Sequence, residues 1–145
     1  MKLFSMEPVL KYRQQQEDRA RQRFMAAREK EESLRQDLVR QKDSLQQLFN
    51  DLDSQRIQGT TPEMLILFEN RIDIVRDNVR KLEARVQEAA EKVHMERKRL
   101  IKARQERKVL ERLKEHQNKA YRSYLAKKEA AMLDEIAVLF HNRKQ

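Results

Sequence analysis

The chain predicts an all-α fold: a long antiparallel two-helix coiled-coil hairpin with an overhanging second helix. Three observations predict it, namely two extended runs of apolar residues at heptad spacing, one glycine-containing break between them, and a composition nearly empty of other helix breakers. The 145 residues include one Gly, two Pro and no Cys, with 39% charged and 39% hydrophobic residues. That balance suits a coiled coil better than a globule around one large core. A pair of helices buries one stripe per helix and leaves much of its surface wet, so such a chain works through partners more often than through chemistry.

The first helix is expected over about residues 6–57. Its seam runs at alternating spacings of four and three through Ala20, Phe24, Ala27, Glu31, Leu34, Leu38, Gln41, Leu45, Leu48 and Leu52, and only Glu31 and Gln41 are polar. The break at residues 58–61 follows. Gln58-Gly59-Thr60-Thr61-Pro62-Glu63 supplies a Gly for the left-handed end of one helix, then a Thr with Pro and Glu to start the next. The second helix is expected over about residues 62–140, with seam positions Leu65, Phe68, Ile72, Val75, Val79, Leu82, Val86, Ala89, Val93, Glu96, Leu100 and Ala103. All but Glu96 are apolar.

A connection this short makes the two helices antiparallel neighbours, with residue numbers across the seam summing to roughly 120. Leu52 then faces the region of Phe68, and Leu10 that of Leu110. Beyond about Leu113 the second helix has no expected intrachain partner. One continuous helix in a parallel homodimer is the rival arrangement, but it would hold Gly59 and Pro62 in mid-helix, where both cost stability.

Charge is concentrated. From His94 to Lys128 there are thirteen Lys or Arg against four Glu, which equals the whole formal net charge of +9. A basic segment of this kind suits an acidic docking surface, an anionic lipid or a nucleic acid, or simply solvates an exposed helix. The seam changes character there too: Arg13 and Glu17 take inward positions on the first helix, and Arg107 and Lys114 on the second. Glu17 is placed to pair diagonally with Arg107. Nearer the turn, Phe49, Ile57, Leu67 and Ile74 fall outside the inward positions, and Leu67 and Ile74 share an outward one seven residues apart. Exposed apolar residues on a narrow coiled coil invite a second protein.

Several function classes are disfavoured. His94, His116 and His141 lie far apart and in no metal-binding motif, and a single Gly cannot build a phosphate-cradling loop. The carboxylates interleave with Lys and Arg at helical spacing, as on a solvated face. No catalytic residue, cofactor or metal site is expected, and the chain is expected not to be an enzyme. Nucleic acid is not an expected partner either, since there is no recognition motif, no Trp, and only Tyr121 and Tyr124 to stack on bases. Met1 to Pro8 shows neither a signal peptide nor the start of a membrane span, so a cytoplasmic location is expected.

The termini carry a resemblance. Phe4, Met6, Glu7, Val9, Leu10, Arg13 and Glu17 are similar to the opening pattern of the bacterial flagellar export protein family FliJ, with Met6 where Leu is commoner. Lys108, Leu110, Glu111, Leu113, Lys114, Tyr121, Glu129, Leu133, Asp134, Glu135, Ile136 and Ala137 resemble its Leu-Glu-x-Leu, tyrosine and Leu-Asp-Glu-Ile-Ala ending. The order of these patterns, the chain length and the central turn agree over almost the whole sequence.

The resemblance implies a coiled coil similar to the rotor stalk of rotary ATPases. On that analogy the paired termini enter the ring of an export ATPase hexamer, the turn-side half reaches a membrane export-gate protein, and export chaperones are further partners. It also implies a cytoplasmic protein peripherally associated with the inner membrane. Combined with the charge and exposure patterns, it points to Arg13, Arg104, Arg107, Lys108, Arg112 and Lys114 for the ring contact. For the gate contact it points to Phe49, Leu67, Phe68 and Ile74. A generic coiled-coil scaffold, or the equivalent stalk of a virulence-type secretion system, would use the same seam and turn.

Overall fold

A computed structural model describes residues 5–144; Phe4, which opens the N-terminal pattern, lies outside them. Two helices account for nearly all of these residues: α1, Glu7–Gln58, and α2, Pro62–Lys144. The N–H of Leu10 donates to the carbonyl of Met6 at 3.0 Å, closing the first turn of α1. Pro8 sits in that turn, where a backbone N–H would have no intrahelical acceptor.

Gly59 ends α1 with φ of +93°, a left-handed conformation that costs glycine little and L side chains more. A Cβ there would meet nothing within 4 Å, so the requirement comes from the backbone and not from crowding. Thr61 starts α2: the N–H of Met64 donates to its hydroxyl at 3.3 Å and the N–H of Leu65 to its carbonyl at 3.1 Å. Pro62 occupies the first helical position, and Glu63 places a carboxylate at the positive end of the helix dipole. The turn is thus Gly59–Thr61, one residue shorter than expected. The second helix runs past residue 140 to Lys144 because neither Gly nor Pro follows to stop it.

The described residues form two compact units, one made of residues 20–100 and one of residues 5–19 with 101–144. In the first, the two helices pack along the expected seam, and every seam position from Ala20 to Leu52 and from Leu65 to Leu100 is buried or half-buried. Leu52, Ile72, Val79, Val86, Val93 and Leu100 are the most deeply buried large apolar side chains of this unit. Three contacts fix the register. Lys42 reaches Glu83 at 3.8 Å, the Arg76 guanidinium lies 5.2 Å from the Phe49 ring centroid, and that of Arg97 lies 5.6 Å from the Phe24 centroid. These pairs have numbers summing to 125, 125 and 121, close to the expected value.

In the other unit the inward positions of α1 are Leu10, Arg13 and Glu17, with Leu10 and Glu17 buried and Arg13 half-buried. Ala103, Arg107, Leu110, Lys114, Gln117 and Tyr121 are half-buried on α2. Pairing outlasts the expected limit near Leu113, because Lys114 meets Glu7 at 3.1 Å. From Arg122 to Arg143 every residue is exposed, and the overhang begins there.

Candidate functional site

The unit that contains the N-terminal start of α1 holds an ion-pair network built around Glu17, only 5% exposed. Arg107 donates through Nε to Glu17 Oε2 at 2.6 Å and through Nη2 to Oε1 at 3.2 Å, a two-pronged contact. Its Nη1 donates to Glu111 Oε2 at 2.7 Å, and Arg104 Nε lies 3.6 Å from Glu17 Oε1. The hydrogen bond that Arg107 donates to Glu17 is the main cause that raises the Arg107 pKa above its ordinary value, against a desolvation that lowers it; Glu111 also raises it. Arg13 Nη1 meets Glu106 Oε2 at 2.6 Å.

These pairs change which cations are available. Of the six expected to contact a ring, Arg13, Arg107 and Lys114 are neutralised inside the hairpin, and Arg104 is half-exposed beside Glu17. Lys108 and Arg112 are exposed and make no ion pair among the described residues. Which cations a coiled coil spends on itself depends on the cross-seam register to within one residue. Sequence spacing supplied that only for the diagonal from Glu17 to Arg107.

The same unit carries a feature that sequence reasoning missed. Leu125, Met132, Leu133, Ile136, Leu139 and Phe140 are all exposed, Phe140 at 58%. At 100° per residue they fall within an arc of about 120° on one face of α2, the width of a stripe that packs against something. No described residue covers it. The signal was present in the sequence as spacings of seven, four and three or four from Leu125, but the seam positions that precede it include Lys114 and Gln117 and hide its continuation.

In the unit of residues 20–100, Leu67 and Ile74 are 56% and 63% exposed. Met64, Ile66 and Ile57 add exposed apolar surface near the turn. Phe49 is half-buried beneath Arg76, and Phe68 is half-buried in the seam. These two have less area to offer a partner than Leu67 and Ile74.

His94, His116 and His141 are exposed. Among the described residues no three His, Asp or Glu side chains are grouped so as to hold a metal ion, and no helix is long and apolar enough to cross a membrane.

A family model of the flagellar FliJ protein matches residues 1–145, the whole chain. The chain belongs to the FliJ family. Among solved structures it is similar to a YscO homologue from Chlamydia trachomatis, with 23% identity over 98% of this chain and 96% of that one and a TM-score of 0.56. That likeness is one of fold. Among curated protein sequences no significant match is found. FliJ membership associates the hairpin with the flagellar, type III export apparatus as a stalk protein, and the members of the family are structural proteins rather than enzymes.

Proposed function

We propose that this FliJ-family chain is a non-enzymatic coupling stalk that joins the export ATPase hexamer to the membrane export-gate protein. The observation that carries the reading is the uncovered apolar stripe from Leu125 to Phe140. A helix that exposes six large apolar side chains along one face is incomplete without a partner, and a ring lumen supplies a wall on every side of it. Lys108 and Arg112 then meet acidic groups of the ring. Arg13, Arg107 and Lys114 hold the terminal end of the hairpin together from within, and Arg104 serves both roles.

Leu67 and Ile74 form the centre of the gate contact, with Phe49 and Phe68 supporting them from the seam. Export chaperones are further partners, and the protein works in the cytoplasm against the inner face of the membrane. Its mechanism is coupling. A stalk that binds one state of the ring better than another shifts the ring between states, and so changes its ATPase rate without supplying a catalytic group.

The experiment is to titrate the cognate export ATPase with the purified chain and follow ATP hydrolysis at low and moderate salt. A rate that rises to saturation near one hairpin per hexamer is expected. A rate that never moves while the chain is folded and helical would leave a scaffold with no ring contact.

A further inference from the structure

The unit of residues 20–100 contains a groove of about 800 Å³ along one edge of the seam, lined by none of the residues assigned to the ring or the gate. Its floor is low because Ala27 and Ala89 stand where other parts of the seam carry Leu or Val, and because Ala26 beside the seam is small as well. Its rim is a double row of cations, Arg23 and Lys30 on α1 and Arg85, Lys92 and Arg99 on α2. Within each row the spacing is seven residues, about 10.5 Å along a helix.

The rows face each other with like charge. Arg23 and Arg99, and Lys30 and Lys92, have numbers summing to 122, within the range of 121 to 125 spanned by the cross-seam contacts of this unit. Positions flanking a coiled-coil seam ordinarily pair opposite charges, as Lys42 and Glu83 do here, and like charges cost stability instead. Arg23, Lys30, Arg85 and Lys92 make no ion pair among the described residues, whereas Arg99 meets Glu96 at 3.1 Å. Glu96 lines the groove while only 5% exposed, and its Oε2 has no hydrogen-bond partner. The groove therefore combines unneutralised cations with a buried carboxylate oxygen that lacks a donor.

We infer that this groove is a docking site for an acidic amphipathic helix of a partner protein, seated along the Ala floor as a local third strand of the coiled coil. A helix matches the seven-residue period of the cations by carrying carboxylates at heptad spacing. Small residues on the floor let its backbone approach closely. It also brings donors, from Ser, Gln or Lys, that reach Glu96 once its carboxylate turns about its soft terminal torsion, and that reach Glu88 on the rim. A nucleic-acid backbone or an anionic lipid headgroup surface meets the cations but sets phosphates against Glu88 and Glu96, and the groove offers no aromatic ring for a base. The inference rests on neither the ring nor the gate contact.

The test uses the full chain and a fluorescent synthetic helix of four heptads with Ala and Leu on its seam, Glu on both flanks and one Gln per heptad to donate to Glu88 and Glu96. Anisotropy is expected to show binding of one peptide per chain that weakens with salt. Lys92→Glu is expected to lower affinity about tenfold, as one attraction becomes a repulsion, while leaving the melting temperature unchanged or raised because the clash with Lys30 is relieved. Ala26→Gln raises the floor without changing charge and is expected to lower affinity about fivefold. Absence of binding by the parent chain would overturn the assignment. So would an Ala26→Gln variant that binds as the parent does, or single-stranded DNA or phosphatidylglycerol vesicles that bind as tightly as the peptide with the same dependence on Lys92.

Discussion

Glu17→Ala tests the terminal ion-pair network most directly. The substitution removes a buried carboxylate that receives two hydrogen bonds from Arg107, at 2.6 and 3.2 Å, and lies near Arg104. Deleting one partner of a fully buried pair costs about 3–5 kcal/mol, because the other charge is left without compensation. Here the Arg107 side chain is 19% exposed and keeps Glu111 at 2.7 Å, which lowers the expected cost to about 2 kcal/mol. With a urea dependence of about 2 kcal/mol per molar, the unfolding midpoint should fall by about 1 M. The assay is urea unfolding followed by far-ultraviolet circular dichroism, with amide exchange near Leu10 and Arg13 as the local readout. Replacing both Glu17 and Arg107 by Leu should restore the midpoint to within about 0.5 M of the parent, because both occupy seam positions that accept apolar side chains. A midpoint that moves by less than about 0.2 M in Glu17→Ala, or a double Leu variant that falls as far as the single one, would refute the view that this pair is the lock on that end.

Three further outcomes separate seam from surface. Leu52→Ala should cost about 3 kcal/mol in the same assay, whereas Leu67→Ser should stay within about 0.5 kcal/mol yet reduce binding to the export-gate protein. Gly59→Ala should destabilise the hairpin by about 1 kcal/mol, since its φ of +93° must be kept by a residue with a Cβ; thermal melting reads this out. Leu133→Ser with Phe140→Ser should leave the melting curve unaltered and abolish stimulation of the export ATPase, while Lys108→Glu with Arg112→Glu should weaken it chiefly at low salt.

The seam was legible because a coiled coil writes its core at a fixed period: each position from Ala20 to Leu52 and from Leu65 to Ala103 read as inward is buried or half-buried. The turn was legible because Gly59, Thr61 and Pro62 each permit something their neighbours do not. The pairing of Arg13 with Glu106 and of Lys114 with Glu7 was not, since a basic segment reads the same whether its charges face solvent or a partner helix. The stripe from Leu125 to Phe140 escaped for a different reason. The seam's heptad track passes through Lys128 and Glu135, so following it onward led away from a face that lies one position further on, at Leu125, Met132, Ile136 and Leu139. The cation-lined groove was hidden by bookkeeping of net charge, because residues outside 94–128 sum to zero while Arg23, Lys30, Arg85 and Lys92 are left unmatched among them.

The exposed stretch of α2 after Tyr121 also bears on how long the protein survives. A helix held by no tertiary contact opens locally at small free-energy cost, and Arg122, Lys127, Lys128 and Arg143 place cleavable basic bonds within it. Limited digestion by trypsin should trim this stretch before it touches the packed seam, and the trimmed product would lose the apolar stripe entirely. A partner that encloses the stretch would protect those bonds, so that assembled and unassembled copies would age at different rates.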